Sequence, residues 1–316
     1  MRNLDISSTG TSNTFGIINQ DASAPTITDV VTTASGGFQQ NIAISNIDSS
    51  PVITNLTATA TGGNEARGVQ NSASSNPTMR NVVAIAQDAG TTAFGVLNLS
   101  SAPTMIDVTA TALGPSSGAN WGIANSASPA TMSNITARAE GAATANVAIT
   151  SEGASPTMTN VSATAIGGNN ARAIQNVNSS STMNSITALA EGATANTAIL
   201  NEGHSPSMTN VAATAIGGAN AWGMNNAGAS PTISNSDIRA SGGTTASHAV
   251  LNSDSAEPRI RGSRLSGSTL AVLNNPGTSA RIADSTVIGS VDGAGFTCIG
   301  AHDEDYEALG EQCQPI

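Results

Sequence analysis

Lysine is absent from this 316-residue chain, and all ten basic residues are arginine. Aromatic residues make up 2% and charged residues 10%, where soluble domains carry ~25% charged residues. The net charge of −11 leaves no basic footprint of the kind nucleic-acid binding needs, which excludes that class. The scarcity of charge also separates the chain from charge-rich disordered segments. No window holds 18 consecutive apolar residues, so no transmembrane helix is expected. Helical 3.6-residue periodicity is missing over any useful length. Met1–Gly10 has no apolar stretch, so no signal peptide is legible there; the expectation is a signal further upstream or another export route. Cysteine occurs twice, Cys298 and Cys313, both within the last 19 residues. That placement reads as one disulfide stapling the C-terminal end in an oxidising compartment.

A repeat is present instead. Ser155–Asn176 and Ser205–Asn226 match at 15 of 22 positions, and a weaker copy lies between them. An apolar anchor recurs at Ile27, Ile53, Met79, Met105, Met132, Met158, Met183, Met208, Ile233, Ile260 and Ile282, with spacings of 22 to 27 residues. Each unit carries three short pieces. The first is T-M/I-x-N/D. The second is an alternating V-x-A-x-A, as in Val108, Ala110 and Ala112. The third is small-aliphatic-x-Asn, as in Gly95-Val96-Leu97-Asn98. Period-two alternation marks strands, and the Gly pairs and Ser/Asn/Pro clusters mark turns. One unit cannot bury its apolar face alone, whereas stacked units can. The expectation is an all-β parallel solenoid of about eleven coils of ~26 residues with three short strands per coil, roughly 50 Å long at the ~4.8 Å strand spacing. Residues 1–290 form the repeat domain and 291–316 a C-terminal cap. Because the chain starts inside a unit, upstream coils or a homo-oligomeric partner are expected at the N-terminal edge. These repeats resemble right-handed parallel β-helix proteins, the pectate-lyase-like architecture of bacterial surface proteins and phage tailspikes. The resemblance, with the right-handed crossover preference, implies the handedness.

Equivalent positions of a solenoid stack into columns. Ile17, Ile44, Val69, Val96, Ile123, Ile149, Ile174, Ile199, Met224, Val250 and Val272 are expected in the core, as are the anchors and the second-strand column from Leu4 to Val211. Two polar columns accompany them. One holds Asn19, Asn46, Asn71, Asn98, Asn125, Ser151, Asn176, Asn201, Asn226, Asn252 and Asn274. The other runs Asn3, Asp29, Asn55, Asn81, Asp107, Asn134, Asn160, Ser185, Asn210, Asn235, Gly262 and Asp284. Both read as structural corner ladders, because Asn tolerates left-handed backbone and its amide both donates and accepts along a stack.

A third column contains Phe15, Ile42, Arg67, Phe94, Trp121, Val147, Arg172, Thr197, Trp222, His248 and Leu270. Arg67, Phe94 and Trp121 fall in successive coils and make one strip. An exposed aromatic ring beside Arg suits a sugar, so Arg67, Phe94, Trp121 and Trp222 are the candidate ligand-binding residues. Outward Thr pairs such as Thr57/Thr59 and Thr109/Thr111 suggest ice binding as an alternative, on a face broken by Val83, Ile85, Arg138 and Leu189.

Signals for catalysis are sparse. No His/Cys cluster has metal-ligand spacing and no phosphate loop precedes a helix, so neither metal nor cofactor is expected. Glu152 and Glu202 hold equivalent turn positions two coils apart, ~10 Å on the strand spacing, and read as solvated turn residues. Arg239, Arg259, Arg261, Arg264 and Arg281 cluster toward the end, followed by an acidic tail with Asp303, Glu304, Asp305, Glu307 and Glu311. The expectation is that the tail folds back over this patch through Arg–carboxylate contacts, with Asp237 and Arg264 pairing between coils; an anionic-glycan site on the patch is the alternative. The functional expectation is a non-enzymatic, secreted or cell-surface rod of adhesin type that spaces or presents a glycan-binding face, its partner a glycan or another surface protein. Against it stands a tailspike-like polysaccharide lyase or hydrolase acting through Asp237, Arg239 and Arg261.

Overall fold

The computed structural model describes all 316 residues. The chain winds as a parallel solenoid of about 11 coils without a helix. A long strand and a short strand alternate, as in Thr104–Leu113 followed by Ala119–Ser126, then Thr131–Glu140 followed by Ala145–Glu152. Long strands stack on long strands and short on short, giving one sheet of 16 strands and one of 12. Every pairing between these strands is parallel. The first two sequence pieces of each unit run together: T-M-x and V-x-A-x-A form one strand of ten residues, bent at the Asn or Asp between them. From Thr232 onward the same two pieces separate into distinct strands, Thr232–Ser234 and Asp237–Ser241 in the first such coil.

That bend is left-handed backbone. φ lies between 49° and 58° at Asn3, Asp29, Asn55, Asn81, Asp107, Asn134, Asn160, Ser185, Asn210, Asn235 and Asp284, and at Gly262. The short polar side chains that tolerate this region fill the column for that reason. The column is solvent-facing. Asn55 Nδ2 donates to Asp29 Oδ1 at 2.7 Å and Asn81 Nδ2 to Asn55 Oδ1 at 2.8 Å. The run stops at Asp107, which has no donor to offer Asn81, and resumes as Asn134 donates to Asp107 and Asn160 to Asn134.

The other polar column is different in kind. Asn46, Asn71, Asn98, Asn125, Asn176, Asn201, Asn226 and Asn252 are fully buried, and none has positive φ. They are rungs inside the short-strand sheet, so the corner role belongs to the exposed column alone. Asn19 Nδ2 donates to Asn46 Oδ1, and the chain of amides continues through Asn71 and Asn98 to Asn125 at 2.7–2.8 Å. A second run links Asn176, Asn201, Asn226, Asn252 and Asn274 at 2.8–2.9 Å and ends on the Ala294 carbonyl. Ser151 interrupts the two: its Oγ and Asn125 Nδ2 are buried without partners.

An apolar cluster of 62 residues threads the tube from Ile17 to Cys313, with a small separate group of Ala165, Ala171, Ala190 and Ala193 beside it. The anchors, the aliphatic column and the Ala rows are its walls. Leu4 is an exception to the expected core. It is 43% exposed, because its strand has a partner on one side only, Thr26–Ser35. The interior is narrow enough that small residues are required where the sheets meet. A Cβ on Gly122 would stand 2.5 Å from the Ala148 carbonyl oxygen, and one on Gly95 would stand 2.6 Å from the Gly122 oxygen.

The C-terminal segment first adds another rung. Val291–Asp292 pairs with Val272–Leu273, and Phe296–Ile299 pairs with Ala280–Ala283. The rest crosses the end of the tube through isolated bridges His302–Ala308 and Leu309–Pro315. Cys298 and Cys313 are joined in a disulfide, and both are buried in the common core. The closing turn is organised by Asp303, whose Oδ1 accepts from the Asp305 and Glu307 amides. No tail carboxylate forms an ion pair with an arginine of the preceding coils. The expected Arg–carboxylate clasp is therefore replaced by backbone bridges, apolar burial and the disulfide, and the arginine patch stays uncovered.

Candidate functional site

The outward column of the short-strand sheet positions the aromatic residues. Register places Arg67 beside Phe94, Phe94 beside Trp121, Trp121 beside Val147 and Val147 beside Arg172. Parallel in-register pairing holds such side chains about one strand spacing apart, ~4.8 Å. Phe94 and Trp121 therefore stack, with ring centroids 4.9 Å apart and planes 8° from parallel. The Arg67 guanidinium carbon lies 6.0 Å from the Phe94 centroid, at the limit of a cation–π contact. Arg67 is held by Glu65 on its own strand and donates to Gln70 Oε1 at 2.6 Å.

A cleft of about 320 Å³ opens beside the stacked pair. Phe94, Trp121 and Val147 line it on one side, and Thr150, Glu152, Arg172 and Gln175 supply its polar groups. Arg172 donates to Gln175 Oε1 at 3.0 Å, repeating the Arg67–Gln70 pairing. The platform is thus bracketed along the axis by two Arg–Gln pairs of the same construction. Sequence columns locate Arg67, Phe94, Trp121 and Arg172; Glu152 and Gln175 emerge only once the strands are folded side by side. Trp222 does not join this group. It stands four rungs from Trp121, ~19 Å at the strand spacing, between Thr197 and His248.

In this column Gly follows every aromatic: Phe15-Gly16, Phe94-Gly95, Trp121-Gly122 and Trp222-Gly223. Ile42, Val147, Thr197, His248 and Leu270 precede Ala instead. At these glycines, and at Gly68 after Arg67, a methyl group would meet atoms of the next rung or of the facing sheet at less than 3.0 Å.

A further Asn column has no counterpart in the sequence reading. Asn41, Asn120, Asn146 and Asn196 are fully buried at the start of the short strands. Asn146 accepts from the Ala142 amide and donates to the Ala142 and Gly167 carbonyls, and Asn196 does the same with Ala193 and Gly217. These side chains satisfy the backbone of the turn. An Ala-Asn pair before the third piece marks Asn120, Asn146 and Asn196, whereas Asn41 follows Gln40.

Of the alternative catalytic residues, Asp237 and Arg239 are brought together as an ion pair and Arg261 is not. Asp237 faces Arg264 across the rung, yet its carboxylate is taken by Arg239 on its own strand, through Nε at 2.8 Å and through Nη2. This replaces the expected Asp237–Arg264 pair and holds the Arg239 guanidinium more firmly protonated. Arg261 lies across the left-handed bend from both, with its Nε 3.2 Å from Asp284 Oδ2. Glu152 and Glu202 stand on either side of Val177 in register.

The Thr rows are mixed. Thr57 is followed by Val83, Thr109 and Thr136, and Thr59 by Ile85, Thr111 and Arg138. The longest unbroken row is on the other side of the bend, running Thr78, Thr104, Thr131, Thr157 and Thr182, but its companion row holds Arg80 and Ile106. Compared with family models and with curated proteins, the chain matches none.

Proposed function

We propose that this chain is a non-enzymatic, extracellular rod of adhesin type whose short-strand face presents a sugar-binding platform. The observation that carries the reading is the face-to-face Phe94–Trp121 stack at the edge of an open cleft of about 320 Å³ walled by Arg172, Gln175 and Glu152. The apolar face of a pyranose packs on aromatic rings, and hydroxyls at its rim find guanidinium, amide and carboxylate partners. The backbone ladder and the buried amide rungs fix these groups in advance, which lowers the ordering cost of binding. The disulfide supports an oxidising compartment. The right-handed winding of the surface and tailspike β-helix type belongs to the same proposal and rests on the crossover preference.

A glycan array read with the protein and with a Phe94→Ala/Trp121→Ala double variant tests it. The expected result is a defined set of neutral or weakly charged glycans bound by the parent and lost by the variant. Identical binding by both overturns the platform. Shortening of a bound glycan after prolonged incubation overturns the non-enzymatic part and returns the lyase or hydrolase reading.

A further inference from the structure

The arginine patch lies on the other sheet from the aromatic stack. Arg259 and Arg281 are direct register partners on the strands Arg259–Arg261 and Ala280–Ala283, and both side chains are exposed. Arg261 projects from the same face, two residues along, in the neighbouring row Ser234–Arg261–Ala283. Between the two rows runs a trough of about 330 Å³ lined by Thr232, Ser234, Arg259, Arg261, Arg281 and Ala283. Its axis follows the stacking direction, since its walls are successive rungs.

Arg67, Arg138 and Arg239 each pair with a carboxylate two residues away on their own strand. Arg259 and Arg281 pair with nothing, although Glu257 is two residues from Arg259 and the chain as a whole carries −11. Arg2, Arg80, Arg172 and Arg264 also lack an ion pair, and what sets Arg259 and Arg281 apart is that two unpaired arginines face each other in register on adjacent rungs. Arg261 has one contact, a single 3.2 Å bond to Asp284 with both groups well exposed. Two like charges one strand spacing apart repel, and an oxyanion placed between them removes that repulsion while accepting from both planar forks.

We propose that this trough binds a linear anionic polysaccharide, its sulfate or carboxylate groups seated between Arg259 and Arg281 and its ring lying along the row toward Arg261. The arginine stems and the Thr232 methyl supply the apolar floor under the ring. A polymer aligned with the axis fits because the cations are spaced by the rungs themselves.

The test uses the full chain and an Arg259→Ser/Arg281→Ser variant. Small hydroxyl residues already occupy this row at Ser207 and Thr232, so the rung accepts them, and an unchanged circular-dichroism melt confirms it. Calorimetric titration is run with a heparin-derived hexasaccharide for sulfate, an oligogalacturonate hexamer for carboxylate, and maltohexaose as the neutral arm. The expected result is that at least one anionic probe binds the parent, weakens as salt rises, binds the arginine variant at least tenfold more weakly, and is unaffected by Phe94→Ala/Trp121→Ala. No anionic binding, equal binding of the neutral hexamer, or equal affinity for the arginine variant overturns the proposal. Dependence on Phe94 and Trp121 assigns the binding to the aromatic platform and overturns it as well.

Discussion

Ser151 interrupts an otherwise continuous column of buried amides, and replacing it with Asn should stabilise the protein. The defect has two parts, Asn125 Nδ2 and Ser151 Oγ, both buried without partners. Asn176, on the next rung, has its Oδ1 occupied by the Ser181 hydroxyl at 2.8 Å, but an amide oxygen has two lone pairs and can accept again. An Asn at 151 lies in register with both neighbours and can accept from Asn125 and donate to Asn176. Two new buried hydrogen bonds contribute about 1 kcal/mol each, and ordering the longer side chain takes back a fraction of that. The net expectation is a gain of about 1–2 kcal/mol. With an unfolding entropy near 2.1 cal/mol/K per residue, a cooperative chain of 316 residues gains about 2 °C in Tm. Differential scanning calorimetry and native-state hydrogen exchange of the Ala145–Glu152 strand measure it. The matched opposite change is Asn98→Ser, which strips Asn71 Nδ2 of its acceptor and Asn125 Oδ1 of its donor and should cost about 2–4 kcal/mol. The reasoning fails if Ser151→Asn destabilises as Asn98→Ser does, because the column would then be set by shape and not by continuity of hydrogen bonding.

Other outcomes follow from the same geometry. Gly122→Ala pushes a methyl group to 2.5 Å from the Ala148 oxygen; the overpacking should cost about 1–3 kcal/mol, and intrinsic fluorescence should report displacement of Trp121. Reducing the Cys298–Cys313 disulfide, which spans 15 residues, should cost about 3 kcal/mol on the chain-entropy scale. Since each solenoid unit touches only its neighbours, the loss should appear as faster hydrogen exchange at Phe296–Ile299 and not in the first coils. His248 is buried between Trp222 and Leu270, and burial lowers its pKa below 6.5. The folded state then binds fewer protons than the unfolded one, so stability is full above pH 6.5 and falls as the pH drops through that value toward the folded pKa. A His248→Leu variant should flatten that slope in urea titrations at pH 7.5 and 5.5; an unchanged slope assigns it to other groups.

The solenoid was legible because its causes are local and recur. The spacing of Ile and Met anchors, the V-x-A-x-A alternation and the polar residue of each bend state the same coil again and again, and stacking is the one arrangement that buries all the copies. Phe94 and Trp121 could be placed side by side from column arithmetic alone, since in-register pairing turns a repeat interval into a strand spacing. The two Asn columns could be listed but not told apart. An Asn that bends the backbone and an Asn that bonds along a buried stack look alike as letters, and what separates them is φ and solvent exposure. The arginine patch shows the same limit. Opposite charge in the tail suggested a clasp, whereas the packing of Cys298 and Cys313 into the shared core and the backbone bridges of Ala301–Pro315 send that segment across the end of the tube, away from Arg259 and Arg281.

Sequence by itself determined the architecture of this protein, the faces of its strands and the neighbours of each residue along the axis, because a repeated pattern of period two leaves few ways to bury itself. Tertiary structure alone decided which carboxylate each arginine takes, where the ladder breaks and where a cleft opens beside Trp121. Those depend on the lateral approach of different faces and on rotamers chosen within a fixed register, quantities that a linear pattern does not carry.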